Sequence, residues 1–220
     1  MTRLFQIPCL LILCSTLLFS QSESSTTAAV TFTLDFPASQ PEHYAIQIKS
    51  DGSSHYQSNG RISADSDDTD GFNLEFTIAP ETRLRVYALA AKAGYFQKDV
   101  DSHHKDLAFT GKKTLTYRDA QRSGEATYNY SSISAVQDLT GLMQSLSATL
   151  EFGHRLQYDR HYQKLALDEE LKRMEDLARS NQLVEVAAIQ PILDEIIADA
   201  AVINVTRARA QRLRDKAWSH

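Results

Sequence analysis

Apolar and polar residues alternate along much of the first 130 residues, which is the pattern of half-buried β-strands. In residues 28–36 the apolar side chains occupy every second position, and the same alternation returns at 44–48, 72–78 and 113–117. Residues 126–130 repeat it more weakly. Asp-Gly and Asn-Gly pairs, which favour tight turns, lie between the early stretches. These patterns predict an antiparallel sheet.

Helical spacing first appears between Pro80 and Gly94. Proline suits the first helical turn because its missing N–H would have no partner there, and glycine suits the left-handed position that ends a helix. The apolar residues at helical spacing predict its buried face: Leu84, Tyr87, Ala88 and Ala91.

From Ser134 onward the spacing is helical to the end of the chain. An apolar stripe at 139–150 is expected to cover one face of the sheet. Gly153 is expected to kink or break the helix, which then continues over 156–179. Further on, Pro191 predicts a short helix before it and a new helix from it. The final helix is predicted at about 200–217.

These patterns together predict an α+β protein, in which an antiparallel sheet packed by one or two helices is followed by a C-terminal all-helical module. No Pro/Gly-rich hinge separates the two parts, so the long helix is expected to join them. The predicted organisation is a signal peptide at 1–20, a flexible leader at 21–27, an α+β domain at 28–152 and a helical module at 153–220.

The first 20 residues have the three-part pattern of a secretory signal peptide. A positive start is followed by an apolar stretch at 4–19, shorter than the ~20 residues that span a bilayer, and then by polar serines. Cleavage is expected after Ser20 or Ser22, with retention as a membrane anchor as the alternative. We therefore predict an exported, periplasmic or secreted protein. Its mature chain would contain no cysteine, because Cys9 and Cys14 lie within the signal segment.

The composition is that of an ordinary globular protein. Of 220 residues, 42% are hydrophobic and 23% charged, with only 8 Gly and 5 Pro, which excludes collagen-like, mucin-like and wholly disordered classes. The net charge of −5 at pH 7 argues against nucleic acid as the main partner.

The chain carries no motif of a serine hydrolase, a phosphate-binding loop or a zinc protease. We therefore predict no catalytic residue, no metal ligand and no cofactor. Acid–base side chains are concentrated in one loop at 99–106, where imidazole and carboxylate groups could bind zinc or move protons: Asp99, Asp101, His103, His104 and Asp106. A hydrolase or metal-dependent enzyme that uses this loop is the alternative function. Adjacent histidines on an extended loop point apart, which favours a polar surface loop.

The last predicted helix is basic on one side and apolar on another. Such a helix can dock an acidic partner or lie on anionic lipid, although cations near a helix C-terminus are also stabilising by themselves. We predict that the C-terminal helices bind a protein partner or a second copy of the chain, with peripheral membrane contact as an alternative. The candidate interaction residues are Ile203, Arg207, Arg209, Arg212, Leu213 and Arg214.

A series of turn and core motifs extends from residue 43 to residue 150. It comprises Tyr44-Ala45-Ile46-Gln47-Ile48, Ser50-Asp51-Gly52, Tyr56, Ile78, Pro80, Ala93-Gly94-Tyr95-Phe96, the strand from Lys113 to Tyr117, and Tyr128. This series resembles an uncharacterised family of exported bacterial α+β domains. The resemblance implies a small α+β fold and a bacterial envelope setting, and it implies no activity. Residues from 153 onward lie outside it.

The absence of catalytic motifs and the apolar stripes of the last helices point to the same function. We predict a non-enzymatic exported protein that acts as a protein-interaction or envelope-associated module.

Overall fold

The computed structural model describes residues 27–37, 39–59 and 71–217. The predicted signal peptide at 1–20 lies outside the described residues, as does the predicted leader except for Thr27. The described chain has the predicted mixed α+β fold, with a six-stranded antiparallel sheet followed by helices.

The sheet has β1 at its centre, paired with β2 on one side and β5 on the other. The spatial order is β4-β3-β2-β1-β5-β6. Buried positions alternate with half-buried or exposed ones along each strand, so one face of the sheet forms the core. The strands are β1 (Ala29–Asp35), β2 (His43–Lys49), β3 (Ser53–Asn59), β4 (Phe72–Thr77), β5 (Lys112–Arg118) and β6 (Ser123–Tyr128).

One row of directly opposed residues crosses all six strands near one end of the sheet. In spatial order it contains Phe72, Ser58, Tyr44, Leu34, Lys113 and Tyr128. Opposed residues share a face, so this row faces the core together with the apolar rows beside it. The core face of the sheet is therefore polar at this end.

One helix lies between β4 and β5 and the others follow β6, in the order that the sequence predicts. Several of their bounds differ from the predicted ones. The helices are α1 (Pro80–Lys92), α2 (Ser134–Tyr162), α3 (Leu167–Arg179), α4 (Gln190–Ala198) and α5 (Asn204–Ala217), with short 3-10 turns at Gly94–Phe96 and Val186–Ile189. The last helix begins at Asn204 and not near residue 200. The predicted helix over 156–179 is two helices, because the chain turns between Tyr162 and Leu167.

The buried face of α1 differs from the prediction. Val86, Leu89 and Ala90 are buried, whereas Leu84, Ala88 and Ala91 are exposed. Tyr87 of the predicted face is partly buried against the core, and its hydroxyl donates to the carbonyl oxygens of Ala28 and Ile48. Two apolar stripes at helical spacing run along this helix, and periodicity alone does not choose between them. Packing against the sheet and α2 selects the smaller stripe.

Helix α2 crosses the sheet from β6 to β4. The hydroxyl of Tyr128 on β6 contacts that of Thr140, and further along the helix the ring of His154 stacks on Phe72 of β4 with centroids 4.3 Å apart. The 29 residues of α2 extend about 43 Å, longer than the sheet requires. The residues of α2 beyond His154 therefore extend past the sheet, where Arg155 donates to Glu170 of α3 and Arg160 donates to Glu195 of α4.

The close approach of the last helices explains Gly153. The helix does not break there, and α2 continues across residues 152 and 153. A Cβ atom on Gly153 would lie 2.6 Å from Cγ2 of Ile189 and 3.1 Å from Cδ1 of Ile192. Glycine is thus needed for contact between helices, not for a bend. The prediction for Pro191 is confirmed, since it lies in the first turn of α4 directly after a 3-10 turn.

A single hydrophobic core joins the sheet to the C-terminal helices. It runs from Phe32 in β1 through Leu146 in α2 to Leu171, Leu193 and Leu213. Among the described helices, none combines the length and apolar character of a membrane span.

Candidate functional site

A cleft follows one flank of α2, along the polar row at the end of the sheet. Its helical wall is one side of α2 and includes Gln137, Thr140, Gly141, Gln144, Ala148, Glu151 and Arg155. Two basins of about 490 and 300 Å³ share Gln144. We call the larger one, over Lys113, the lysine basin and the smaller one, beside Glu151, the glutamate basin.

The lysine basin contains a buried cation surrounded by neutral oxygen atoms. Lys113 is 5% exposed. Its ammonium group donates to the carbonyl oxygens of Thr110 (3.2 Å), Gly111 (3.2 Å) and Asn129 (2.9 Å) and to the hydroxyl of Thr110 (2.9 Å). Within the described residues no carboxylate lies within ion-pair distance of it. Burial lowers the pKa of Lys113, and the negative charge of Asp101 opposes that shift.

The glutamate basin is built around the carboxylate of Glu151. The hydroxyl groups of Tyr56 and Ser58 both donate to its Oε1 at 2.6 Å, and Nδ1 of His154 lies 3.5 Å from its Oε2. Burial raises the pKa of Glu151, but the bonds from His154, Ser58 and Tyr56 more than offset it, so the net shift is downward. Burial, and next the charge of Glu151, raise the pKa of Tyr56. At neutral pH the basin therefore holds an ionised carboxylate between protonated hydroxyl groups.

This arrangement does not activate a nucleophile. Ser58 and Tyr56 donate to a carboxylate of lowered pKa, which is a weak base. Across the part of the chain that the structure describes, no side-chain hydroxyl is hydrogen-bonded to an imidazole, the contact from which serine hydrolases draw their base. The cleft presents an ionised carboxylate and hydroxyl groups that can bind polar groups.

The predicted interaction residues of the last helix are largely engaged within the chain. Arg209 donates to Asp168 (2.9 Å) and Glu175 (2.6 Å), and Arg212 donates to the other oxygen of Glu175 (2.8 Å). Burial raises the pKa of Glu175, but the bonds from Arg212 and Arg209 outweigh it and the net shift is downward. These bonds neutralise the central part of the basic face.

The other predicted interaction residues differ in their contacts and in their exposure to solvent. Arg214 donates to Asp194 at 3.0 Å, and Arg207 donates to Asn204 in its own helix. Leu213 is 3% exposed and belongs to the core, whereas Ile203 is 58% exposed. The structure thus brings Arg209, Arg212 and Arg214 together with acids of α3 and α4 and leaves Ile203 on the surface.

Four exposed apolar side chains lie between the end of α2 and the start of α5, on two segments of the chain. Tyr162 and Leu165, on the turn between α2 and α3, are 75% and 91% exposed, and Val205 in the first turn of α5 is 52% exposed. The ammonium of Lys164 binds Asp199 at 2.8 Å, which joins this turn to the turn before α5. We call Tyr162, Leu165, Ile203 and Val205 the apolar tip.

The acidic and histidine-rich loop at 99–106 uses its side chains to hold its own backbone. Nε2 of His103 lies 2.6 Å from Asp99, and Asp101 accepts from the backbone N–H groups of His103 (2.7 Å) and Asn129 (2.8 Å). The bond to Asp99 raises the pKa of His103. Among the described residues no group of three or more His, Cys, Asp or Glu side chains is placed to hold a metal ion.

Comparison with known proteins does not indicate a function, so the function is inferred from the geometry of the structure. No protein-family model matches the chain, and no curated protein gives a significant match. The resemblance of residues 43–150 to exported bacterial domains therefore stays a prediction.

The sequence contained a signal for the cleft that periodicity of apolar residues alone did not reveal. Polar residues recur along α2 at alternating spacings of four and three, beside the apolar stripe: Thr140, Gln144, Ser147, Glu151 and His154. A second stripe of this kind on a core helix indicates a polar interior contact. The matching signal on the sheet is Lys113, a charged residue that shares the alternating positions of Leu115 and Tyr117 in β5.

Proposed function

We propose that the protein is a non-enzymatic, exported interaction module that binds another protein through the apolar tip. The observation that carries the proposal is that Tyr162, Leu165, Ile203 and Val205 are each more than half exposed, on two segments that the contact of Lys164 with Asp199 joins. This proposal keeps the predicted interaction function and places it at the end of the C-terminal helices.

Exposure of this kind is costly unless a partner covers it. Single exposed apolar residues are normal, but a cluster on adjoining turns is typical of a protein-binding surface. Tyrosine is also among the residues that contribute most to binding energy at interfaces. Leu165 has the largest exposed fraction of the four, 91%.

Charged bonds hold the two turns of the apolar tip in place. Besides the contact of Lys164 with Asp199, Arg160 donates to Glu195 at 2.5 Å and the hydroxyl of Thr206 donates to Asp168 at 3.2 Å. These bonds connect α2 to α4 and α3 to α5 around the tip. A surface that is already ordered loses less entropy on binding.

Apolar docking is favoured over contact with an anionic membrane. Arg209, Arg212 and Arg214 donate to acids of α3 and α4, so their charge is mostly compensated within the chain. A membrane-bound helix would need these cations free for lipid headgroups.

The test compares two exposed leucines. Leu165→Asp places a charge in the apolar tip, and Leu84→Asp makes the same change on the exposed side of α1, away from the tip. We expect the wild-type protein and L84D to bind the same partner from envelope extract, and L165D to bind it at least tenfold more weakly. Equal partner binding by both variants, or no complex with any of them, would overturn the proposal.

Light scattering on the purified protein identifies the kind of partner. A dimer that dissociates on L165D would show that the partner is a second copy. A monomer that captures a different protein only when Leu165 is intact would show a heterologous partner.

A further inference from the structure

We propose that the lysine basin binds a small hydroxylated carboxylic acid, with the carboxylate facing Lys113. This site lies at the opposite end of α2 from the apolar tip, and the inference does not depend on the proposed function. It rests on charge, on the polar groups of the lining and on a glycine in the helical wall.

Among the described residues, the charge of Lys113 has no close counter-ion. Its ammonium group has three hydrogens and four acceptor atoms within 3.2 Å, all on uncharged groups. The acid that acts on it from a distance, Asp101, accepts two backbone N–H bonds and lies 3.9 Å from Nδ1 of His103. A buried cation compensated only by dipoles favours an anion beside it.

The lining of the basin is suited to such an anion. Besides Lys113 it carries hydroxyl and amide side chains and no acidic residue. The side-chain N–H groups of Gln137 donate to the hydroxyl of Tyr130 and to the carbonyl of Ser131, both at 2.7 Å. Its amide oxygen can therefore accept a hydrogen bond from a ligand hydroxyl. The amide of Gln144 has no hydrogen-bond partner within the described chain, and it lies between the two basins.

Gly141 opens the helical wall toward the basin. A Cβ atom on it would have no neighbour within 4 Å, so packing against protein does not explain the glycine. Glycine inside a helix is unfavourable relative to alanine, and it is used where a backbone must be approached closely. Gly141 is one of the residues that line the basin.

The size of the basin limits the ligand. A volume of about 490 Å³ lies in the range of small-molecule sites. Together with one cation and several hydroxyl and amide groups, it suits an acid of about monosaccharide size. Suitable probes are D-glucuronate, D-gluconate and citrate, with neutral D-glucose for comparison.

The experiment is calorimetric titration of the purified protein with each probe. We expect at least one acid to bind with one-to-one stoichiometry and at least tenfold more tightly than D-glucose. Lys113→Met should weaken that binding at least tenfold. Lys112→Met, which removes the charge of the adjacent exposed lysine, should leave it unchanged.

A second variant keeps the test decisive if Lys113→Met fails to fold. Gly141→Leu adds a bulky side chain to the lining of the basin at a position where a Cβ atom has no neighbour within 4 Å, so we expect the fold to persist and binding to be lost. If no acid binds more tightly than D-glucose, or if G141L keeps the wild-type affinity, the proposal is overturned.

Discussion

The carboxylate of Glu151 lies where two hydroxyl groups and an imidazole converge under α2. Its partners on Tyr56 and Ser58 are contributed by β3, 95 and 93 residues away in the chain. An ionised carboxylate in such a place is stable only while these bonds are made. The residue therefore links helix and sheet through charge as well as through packing.

The lowered pKa of Glu151 predicts a dependence of stability on pH. Because the folded-state pKa lies below that of the unfolded chain, the stabilising contribution is complete above the usual carboxyl pKa near ~4.3 and is lost as the pH falls through the folded value. Glu151→Gln should lower the free energy of unfolding by about 1–3 kcal/mol at pH 7 and by clearly less at pH 3. Urea unfolding at both pH values measures the difference.

The exposed Glu75, whose side chain is 79% exposed, provides the control. Glu75→Gln should change stability little at either pH. A Glu151→Gln effect that is the same at pH 7 and pH 3 would show that the ionised form of Glu151 is not what stabilises the fold.

At the scale of the element, α2 carries two glycines with opposite environments. Gly141 borders open space in the cleft, whereas Gly153 lies against Ile189 and Ile192. Both lie within one continuous helix, and the sequence alone does not show that their environments differ. Only the neighbouring elements distinguish them.

These environments predict alanine substitutions of opposite sign. Gly141→Ala should raise the free energy of unfolding by about 0.5–1 kcal/mol through helix propensity. Gly153→Ala should lower it by about 1–3 kcal/mol, since the added methyl overpacks the contact with the last helices. Chemical denaturation of the two variants side by side is the measurement, and shifts of the same sign would contradict the observed packing.

At the scale of the whole molecule, α2 belongs to both the sheet layer and the helical layer. Apolar side chains of the sheet, such as Ile46, and of the last helices, such as Leu193, are completely buried in one continuous core. Shared burial of this kind couples the two parts energetically. The boundary predicted between residues 152 and 153 falls inside the helix that connects them.

We therefore expect a single cooperative unfolding transition in calorimetry. Ile46→Ala in the sheet and Leu193→Ala in α4 should each lower the stability of that one transition by about 2–5 kcal/mol. Two transitions, each responding to only one of the variants, would instead show that the sheet and the helices unfold independently.

Much of the architecture could be predicted because local patterns carry it. The alternation in residues 30–36 and 72–78 reflects the two faces of a strand, and Pro80, Gly94 and Pro191 mark helix ends by their backbone chemistry. The choice of buried stripe on α1 could not be predicted, because Leu84 and Val86 both satisfy helical spacing. The same holds for the helix boundary at Tyr162, where neither glycine nor proline marks the turn.

Local patterns along the chain predict the element types, their order and the α+β class, because these depend on neighbours within a few positions. Contacts between distant groups follow from the packing of whole elements instead. This packing places Glu175 between Arg209 and Arg212, Glu151 against Tyr56, and Lys113 in the same basin as Gly141. Periodicity shows which face a residue occupies, whereas its partners depend on how the faces of separate elements pack together, and the cleft and the apolar tip arise from that packing.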